Sequence, residues 1–275
     1  MNKFDLIYIT NSIPKAKAAE VAGVDRIMVD LEILGKRQRQ MGRDTLISGH
    51  RLEDVSKLRL KITNLELLVR VNPIHEGSAN EINKVISSGA DSVMLPMFRT
   101  ANEVRDFVDL VDGRARTIPL IETAEAAIRI EEILEVDGCD EFYVGLNDLH
   151  LSLGLNFMFE TLSCGFIDWL VNKIGKTGVP FGFGGIAPIG QGVIDSSLIL
   201  SEHVRLGSTS VILSRDFHAV GNDTKVKNRS PIDLVHEISL VRGKLLELFQ
   251  ASQEDYEQTR KHIKSLVRNY VAKLN

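Results

Sequence analysis

The sequence has few of the features that would assign it to a specialised class of protein. It contains two cysteines, Cys139 and Cys164, among 275 residues. Two cysteines exclude a disulfide framework, so a reducing compartment is expected. No apolar run reaches the length of a membrane span, and Asp5 interrupts the start, MNKFDLIYIT, too early for a signal peptide. We therefore expect a cytoplasmic protein without a membrane partner.

An excess of charge of one sign is also missing. The 33 lysines and arginines nearly balance 37 acidic residues, which leaves a formal net charge of −4. A nucleic-acid partner would need a clustered basic surface, so none is expected. Apolar residues make up 44% of the chain and charged residues 25%, as in ordinary globular proteins. The length suits one large α/β domain or two small ones.

Short apolar runs alternate with segments of helical period along most of the chain. The candidate strands are 4–10, 25–30, 65–71, 92–96, 116–122, 141–146, 180–186 and 210–214. Continuous rather than alternating apolar strands are typical of parallel sheets that are buried on both faces. Eight such β–α units predict an α/β fold of the (β/α)8 TIM barrel type. A doubly wound open sheet is the alternative, which is disfavoured because no G-x-G-x-x-G follows the first strand.

The C-terminal tail carries more helix than a barrel needs. One apolar stripe is formed by Leu234, Ile238, Val241 and Leu245 and suits the eighth barrel helix. A second stripe is formed by Ile263, Leu266, Val267, Tyr270, Val271 and Leu274. We therefore predict a barrel domain over 1–250 and an additional C-terminal helix over 251–275. The second stripe either packs on the barrel or contacts another subunit, and we favour the subunit contact.

Charged and amide side chains follow several of the candidate strands. In a (β/α)8 barrel the active site lies at these carboxyl ends, whereas the opposite end here shows mainly Gly, Asp and small residues. The rim residues are Asp30 and Glu32 after the second strand, Arg70 at the third, Glu122 at the fifth, and Asn147 and Asp148 at the sixth. Carboxylates held close together cannot all stay ionised without a nearby cation.

A metal site explains this convergence. Glu122 and Asp148 come from adjacent strands and supply the oxygen ligands that Mg²⁺ prefers. The planar fork of Arg70 suits a substrate carboxylate. A metal beside an arginine favours a 2-oxo acid substrate, whose enolate a Lewis acid stabilises. Each residue also has a simpler interpretation: Asp148 as a helix cap, Glu122 as a first-turn acid of the next helix, and Arg70 as an ion-pair partner of Asp30.

Several strand motifs resemble one known family. They are DRIMVDLE, VRVNP, SVMLPMF, IPLIETAEA and FYVGLNDLHLSLG, which occur in the family's order between residues of about 5 and 215. The chain resembles the HpcH/HpaI aldolase and citrate lyase β-subunit family of the phosphoenolpyruvate/pyruvate superfamily. The resemblance implies a Mg²⁺- or Mn²⁺-dependent carbon–carbon lyase or aldolase that is usually a homotrimer or hexamer. It also implies that Arg70 binds the substrate carboxylate and that Glu122 and Asp148 are metal ligands.

Two departures from the family concern the segment after the second strand. The family's pyruvate aldolases carry an acid/base histidine there, but Ile33 follows Glu32 in this chain. The citryl-CoA and malyl-CoA lyase branch has DLED, of which only DLE is present. His50 and His150 are the histidines nearest the rim, and either could replace the missing base. Alternatively, His50 lies in the first turn of a helix behind Ser48, and His150 packs under the next loop.

Two further segments carry ligand-binding signals. The loop 33–50 contains Lys36, Arg37, Arg39 and Arg43, which suit either a phosphate or CoA grip or a solvated loop. The segment GFGGIAPIGQG (182–192) lacks a Walker pattern but allows close backbone approach to a ligand.

These signals predict pyruvate-enolate chemistry on a 2-oxo acid, with an aldehyde or sugar-like acceptor and with Arg70, Asp30, Glu32 and Asn147 binding the substrate. An acyl-CoA lyase of the citryl or malyl type is one alternative. A barrel that binds a 2-oxo acid or sugar acid without chemistry is another.

Overall fold

Eight parallel strands form a closed barrel in chain order. The computed structural model describes residues 3–36, 49–218 and 233–274. The strands are β1 (Asp5–Ile9), β2 (Arg26–Asp30), β3 (Glu66–Arg70), β4 (Ser92–Leu95), β5 (Arg116–Ile121), β6 (Phe142–Val144), β7 (Phe181–Ile186) and β8 (Ser210–Leu213). The last strand pairs with the first, with Asp5 opposite Ser210. The predicted (β/α)8 barrel is thus confirmed, and the open-sheet alternative is wrong.

The described residues form twelve α-helices, most of which surround the barrel. They are α1 (Ile13–Ala22), α2 (Leu52–Arg59), α3 (Ser78–Ser87), α4 (Ala101–Val111), α5 (Ala124–Ile128), α6 (Ile130–Leu134), α7 (Leu146–Ser152), α8 (Glu160–Ser163), α9 (Phe166–Gly175), α10 (Ser196–Leu206), α11 (Leu234–Leu248) and α12 (Gln253–Val271). Among these helices, none is both long and apolar enough to cross a membrane.

Two apolar layers explain the continuous apolar strands. One buried cluster takes one or two side chains from each of the first six strands and fills the barrel interior: Ile7, Met28, Leu68, Met94, Ile118, Leu120 and Tyr143. A larger cluster lies between the strands and the surrounding helices. Because successive side chains of a strand point to opposite faces, both faces of each strand must be apolar.

The sixth strand is shorter than predicted. It ends at Val144, and α7 begins two residues later at Leu146. Gly145 is the N-cap residue of that helix. Asn147 and Asp148 therefore lie in the first turn of a helix rather than at the end of a strand.

The C-terminal helix packs on the chain's own barrel. Helix α12 begins with a capping box between Ser252 and Asp255, and it contacts α8 and α10. Ile263 and Val267 of the predicted second stripe are buried, and the ring of Tyr270 lies 4.3 Å from that of Phe157. The interpretation that this stripe packs on the barrel is therefore confirmed, and a subunit contact of its exposed part remains a prediction. A homo-oligomer and the domain division at residue 250 remain predictions.

The amino-terminal end of the barrel differs from the prediction of small turn residues. Arg26 on β2 lies inside the barrel, where it binds Asp5 at 2.7 Å and Glu141 at 2.6 Å. Arg116 binds Glu66 at 2.9 Å and lies 3.3 Å from Glu141. These side chains come from the first residues of their strands or just before them. They close the barrel with a network of charges, buried at Arg26, Asp5 and Glu141, which we call the basal network.

Candidate active site at the carboxyl-terminal rim

Asp30 and Arg70 form the first part of the site. They end β2 and β3 and are direct partners in the register of these strands. Arg70 donates from Nε to Asp30 Oδ1 and from Nη2 to Asp30 Oδ2, both at 2.8 Å. Burial alone would raise the pKa of the Asp30 carboxyl, but Arg70 and Lys36 hold this pKa well below its usual range. The alternative interpretation of Arg70 as the ion-pair partner of Asp30 is thus correct. Neither bond uses Nη1 of Arg70.

Glu32 and Lys36 extend this pair into a buried cluster. The Lys36 ammonium lies 2.8 Å from Asp30 Oδ2 and 3.3 Å from Glu32 Oε2. Arg70 Nη2 is 3.5 Å from the same Glu32 oxygen. Lys36 is only 5% exposed, so its interpretation as a solvated loop cation is wrong, whereas the phosphate or CoA grip remains a prediction. The other cations of that loop, Arg37, Arg39 and Arg43, lie outside the described residues.

Asn72 shapes the segment that carries Glu32 and Lys36. Its Oδ1 accepts hydrogen bonds from the amides of Ile33 and Leu34, both at 2.9 Å. Its Nδ2 donates to Glu81 Oε1 at 2.8 Å. Sequence reasoning assigned no function to this residue. Its position two residues after Arg70, directly before Pro73, was the available signal.

Glu122 lies on the same rim and is 2% exposed. Strand β5 ends at Ile121, and alternation with Ile118 and Leu120 directs Glu122 toward the barrel interior. Its Oε1 accepts a hydrogen bond from the Met97 amide at 3.1 Å.

The charge of Glu122 also reaches Arg70. Burial alone would lower the pKa of Arg70, but Asp30, then Glu32 and Glu122, raise this pKa above its usual range. Thr123 is the N-cap of α5 and Glu125 is its first-turn acid. The interpretation of Glu122 as a first-turn acid of this helix is therefore wrong.

Asp148 follows the strand next to that of Glu122, but it lies in a different type of element. It is the third residue of α7 and is half-buried, whereas Asn147 is exposed. The N-cap of α7 is Gly145, so the interpretation of Asp148 as the cap is wrong. Strands β5 and β6 pair at Ile121 and Val144, which places the start of α7 next to Glu122.

The two candidate histidines have different surroundings. His50 Nδ1 accepts a hydrogen bond from the Asp30 amide at 3.0 Å, which assigns the proton of the neutral ring to Nε2. Burial lowers the pKa of His50 below its usual value, although Asp30 and Asp54 oppose this shift. Arg51 is the N-cap of α2, so His50 precedes the helix rather than lying in its first turn.

His150 lies on the buried face of α7, where Nδ1 is 3.1 Å from the Leu146 carbonyl oxygen. This placement agrees with the packing interpretation. The placement of the two histidines does not test their predicted catalytic roles, which remain predictions.

The residues present fit a divalent cation. Within 3–36, 49–218 and 233–274, no group of three or more His, Cys, Asp or Glu side chains is arranged to hold a metal. Mg²⁺ usually takes only one or two protein carboxylates and completes its octahedron with water and substrate. Glu122 and Asp148 offer such a pair on adjacent barrel positions. A Cβ atom added to Gly145 would lie 2.7 Å from Glu122 Oε2, so the glycine leaves space that a side chain would fill.

The glycine-rich segment 182–192 lines a cleft of about 480 Å³ between the ends of β7 and β8 and helices α8 and α10. Its apolar walls include Phe159, Ile186 and Ile194. Its polar lining residues are Gln191, Ser196, Ser214 and Asp216. Among the described residues that line the cleft, none is basic.

Comparisons with known proteins agree with this architecture. The model of the HpcH/HpaI aldolase/citrate lyase family matches residues 7–161. An HpcH/HpaI aldolase from Desulfitobacterium hafniense DCB-2 superposes with a TM-score of 0.59 at 16% identity, covering 78% of this chain and 86% of that one.

Two further solved structures share the fold. The citrate synthase SbnG gives a TM-score of 0.59 at 16% identity, covering 77% of this chain and 86% of its own. An HpcH/HpaI aldolase/citrate lyase family protein from Burkholderia cenocepacia J2315 gives a TM-score of 0.59 at 16% identity, covering 90% of this chain and 95% of its own. No curated protein sequence matches this chain significantly.

Proposed function

Because this chain belongs to the HpcH/HpaI aldolase/citrate lyase family of lyase- and aldolase-type enzymes, we propose that it is a divalent-metal-dependent carbon–carbon lyase that acts on a 2-oxo acid. The observation that carries the proposal is the buried guanidinium of Arg70. It lies between the acids Asp30 and Glu32 and within the field of Glu122. A fixed cation beside a carboxylate that suits a metal is the pair of groups that a 2-oxo acid needs.

Each side chain has a proposed role in this chemistry. Glu122 and Asp148 would hold Mg²⁺ or Mn²⁺, which when bound would polarise the keto oxygen of the substrate. Arg70 would bind the substrate carboxylate through Nη1, because Nε and Nη2 are engaged by Asp30. Asp30, Glu32 and Lys36 would hold Arg70 in place, and Asn147 would contact the substrate from α7.

His50 would move the proton at C3 of the 2-oxo acid. Its Nδ1 accepts a hydrogen bond from the Asp30 amide, which holds the ring and leaves Nε2 as the nitrogen that would exchange a proton with the substrate.

Proton exchange at C3 of pyruvate tests the proposal. The protein is incubated with pyruvate in D₂O, and loss of the methyl proton signal is followed by NMR. EDTA should abolish the exchange, and added Mg²⁺ or Mn²⁺ should restore it. Exchange that continues at the same rate after complete metal removal would contradict the metal dependence.

We propose an uncharged aldehyde or sugar-like acceptor. Lys36 is bound within the rim, and the described lining of the cleft carries no basic side chain that would select a phosphate. Aldol addition of pyruvate to a panel of aldehydes, with and without phosphate groups, tests this preference. Faster turnover with the phosphorylated members would contradict it. The acyl-CoA lyase and binding-only alternatives remain predictions, and no observation favours either.

A further inference from the structure

We propose that Gly145 and Met97 are positioning residues that together fix the carboxylate of Glu122. The inference rests on the proposed function, because it assigns to these two residues the task of presenting Glu122 to the cation. Neither residue would contact the metal. Gly145 acts through the absence of a side chain, and Met97 acts through its backbone amide.

Gly145 lies directly against one side of Glu122. A Cβ atom on this glycine would lie 2.7 Å from Glu122 Oε2, 3.0 Å from Glu122 Cβ and 3.3 Å from Leu120 Cδ1. The backbone of Gly145 has a φ of −84° and a ψ of 89°, so its φ is open to residues with side chains. Its amide donates to the Ile121 carbonyl at 3.0 Å, which fixes the glycine next to β5. The requirement for glycine therefore comes from Glu122 and not from backbone conformation.

Met97 holds the other oxygen of the same carboxylate. Its amide donates to Glu122 Oε1 at 3.1 Å. The residue has a φ of 57°, in the left-handed region that side chains other than glycine rarely adopt. Among the described residues, the other non-glycine residue with positive φ is Asp112, which caps helix α4. Met97 ends no helix, and its amide points at Glu122 Oε1. Backbone strain of this kind persists where the surrounding structure imposes it.

The two contacts restrict the carboxylate from opposite ends. A hydrogen bond fixes Oε1, and close packing confines Oε2. An added methyl group at residue 145 would meet the flexible end of the Glu122 side chain, which can move aside, while Glu122 Cβ and Leu120 Cδ1 would have to shift slightly. The expected consequence is a displaced carboxylate in a folded protein, with the loss appearing in metal affinity.

Mn²⁺ binding provides a readout that does not depend on turnover. The metal-free full-length protein is titrated with Mn²⁺ alone, and free Mn²⁺ is measured by electron paramagnetic resonance. We expect Gly145→Ala to weaken Mn²⁺ binding about tenfold or more, as is usual when the support of a metal ligand is lost. Gly175→Ala is the matched control, because a Cβ there meets nothing within 4 Å, and it should bind like the parent. Thermal unfolding of the metal-free variants should stay close to that of the parent.

Two further variants separate positioning from general damage. Met97→Gly releases the backbone from the φ that holds the amide in place, without adding a clash, and should also weaken Mn²⁺ binding. In a Glu122→Gln background, Gly145→Ala should cause no further loss of affinity, because both changes act on one carboxylate. A parent that binds Mn²⁺ while Gly145→Ala and Met97→Gly bind it equally well would overturn this inference and leave the proposed function intact. A parent that binds no Mn²⁺ would overturn both.

Discussion

Both ends of the barrel bury charged side chains, but the two groups are organised differently. In the basal network, Arg26 and Arg116 bind three acids, which lie at or just before the starts of three strands. Glu141 accepts hydrogen bonds from Arg26, from Arg116 and from the Ser210 hydroxyl. At the rim, Arg70 uses two of its nitrogens on Asp30, and Glu122 accepts from a backbone amide.

The difference shows which features indicate a ligand site. Convergence of acids on one end of a barrel does not by itself indicate a ligand site, because acids converge in the basal network as well. The Arg26 side chain is 6% exposed, whereas that of Arg70 is 15% exposed and keeps Nη1 out of its bonds to Asp30. The rim also holds Glu122 beside a glycine whose Cβ is excluded. Substitutions at the base should therefore affect stability, and substitutions at the rim should affect binding and turnover.

The largest effect is expected from Arg26→Met in the basal network. This change leaves Asp5 and Glu141 buried without their main cation. Loss of one partner of a buried ion pair usually costs about 3–5 kcal/mol of unfolding free energy. Urea unfolding measures the loss, and Arg116→Met, at a more exposed position, should lose less. Mn²⁺ affinity of the folded variant should match the parent. A loss below about 1 kcal/mol would contradict the structural role of Arg26.

Glu122→Gln should change activity without a comparable change in stability. It preserves the shape of the side chain and removes one negative charge from the rim. We expect pyruvate proton exchange to fall about a hundredfold, equivalent to about 2.7 kcal/mol. Thermal unfolding of the metal-free protein should be unchanged or should shift upward, because repulsion between carboxylates is relieved. Glu125→Gln, in the first turn of α5, is the control and should keep normal exchange. Equal exchange in both variants would remove Glu122 from the active site.

Arg70→Lys tests whether the fork geometry matters at the rim. Lysine keeps the charge but cannot bind Asp30 through two parallel bonds. We expect KM for pyruvate to rise about tenfold, or about 1.4 kcal/mol. Arg116→Lys at the base should leave KM unchanged. If both lysine variants show the parent's KM, Arg70 does not bind the substrate carboxylate.

The smallest effect concerns acid stability. Arg70 and Lys36 hold the folded-state pKa of Asp30 well below its unfolded value. A depressed carboxyl pKa stabilises the fold above the unfolded pKa of about 3.9, and this contribution is lost as pH falls toward the folded pKa. Between pH 5 and 8 it should be constant. Asp30→Asn should flatten the decline of unfolding free energy below pH 4 by about 1 kcal/mol per pH unit. Parallel declines of parent and variant would contradict the assignment.

Most of the fold was predictable because burial determines the pattern of apolar residues. Each of the eight predicted strands is present, since strands covered on both faces need continuous apolar runs. The end of β6 before Gly145 was missed because the letters VGL continue the apolar run. Leu146 is apolar for another reason, since it is buried as the first residue of a helix.

The rim was predictable in part. The sequence places three charged side chains at strand ends, namely Asp30, Arg70 and Glu122. Their grouping at the rim was predictable because the barrel brings these ends together. Lys36 was misjudged because a lysine in a polar loop carries no sign of its direction, and here Asn72 holds that loop toward the rim. The basal network was missed because its charges lie at strand starts, among ordinary turn residues.

Mn²⁺ titration of the parent and of Asp148→Asn tests the central claim most directly. Asp148 lies in the first turn of α7, where its charge favours the helix by roughly 0.3–1 kcal/mol. If it serves only the helix, the variant should lose about that much stability and bind Mn²⁺ like the parent. We predict instead that the folded variant binds Mn²⁺ at least about tenfold more weakly and that its exchange activity recovers only at high metal. A folded Asp148→Asn protein with the parent's Mn²⁺ affinity and normal exchange would contradict the metal site.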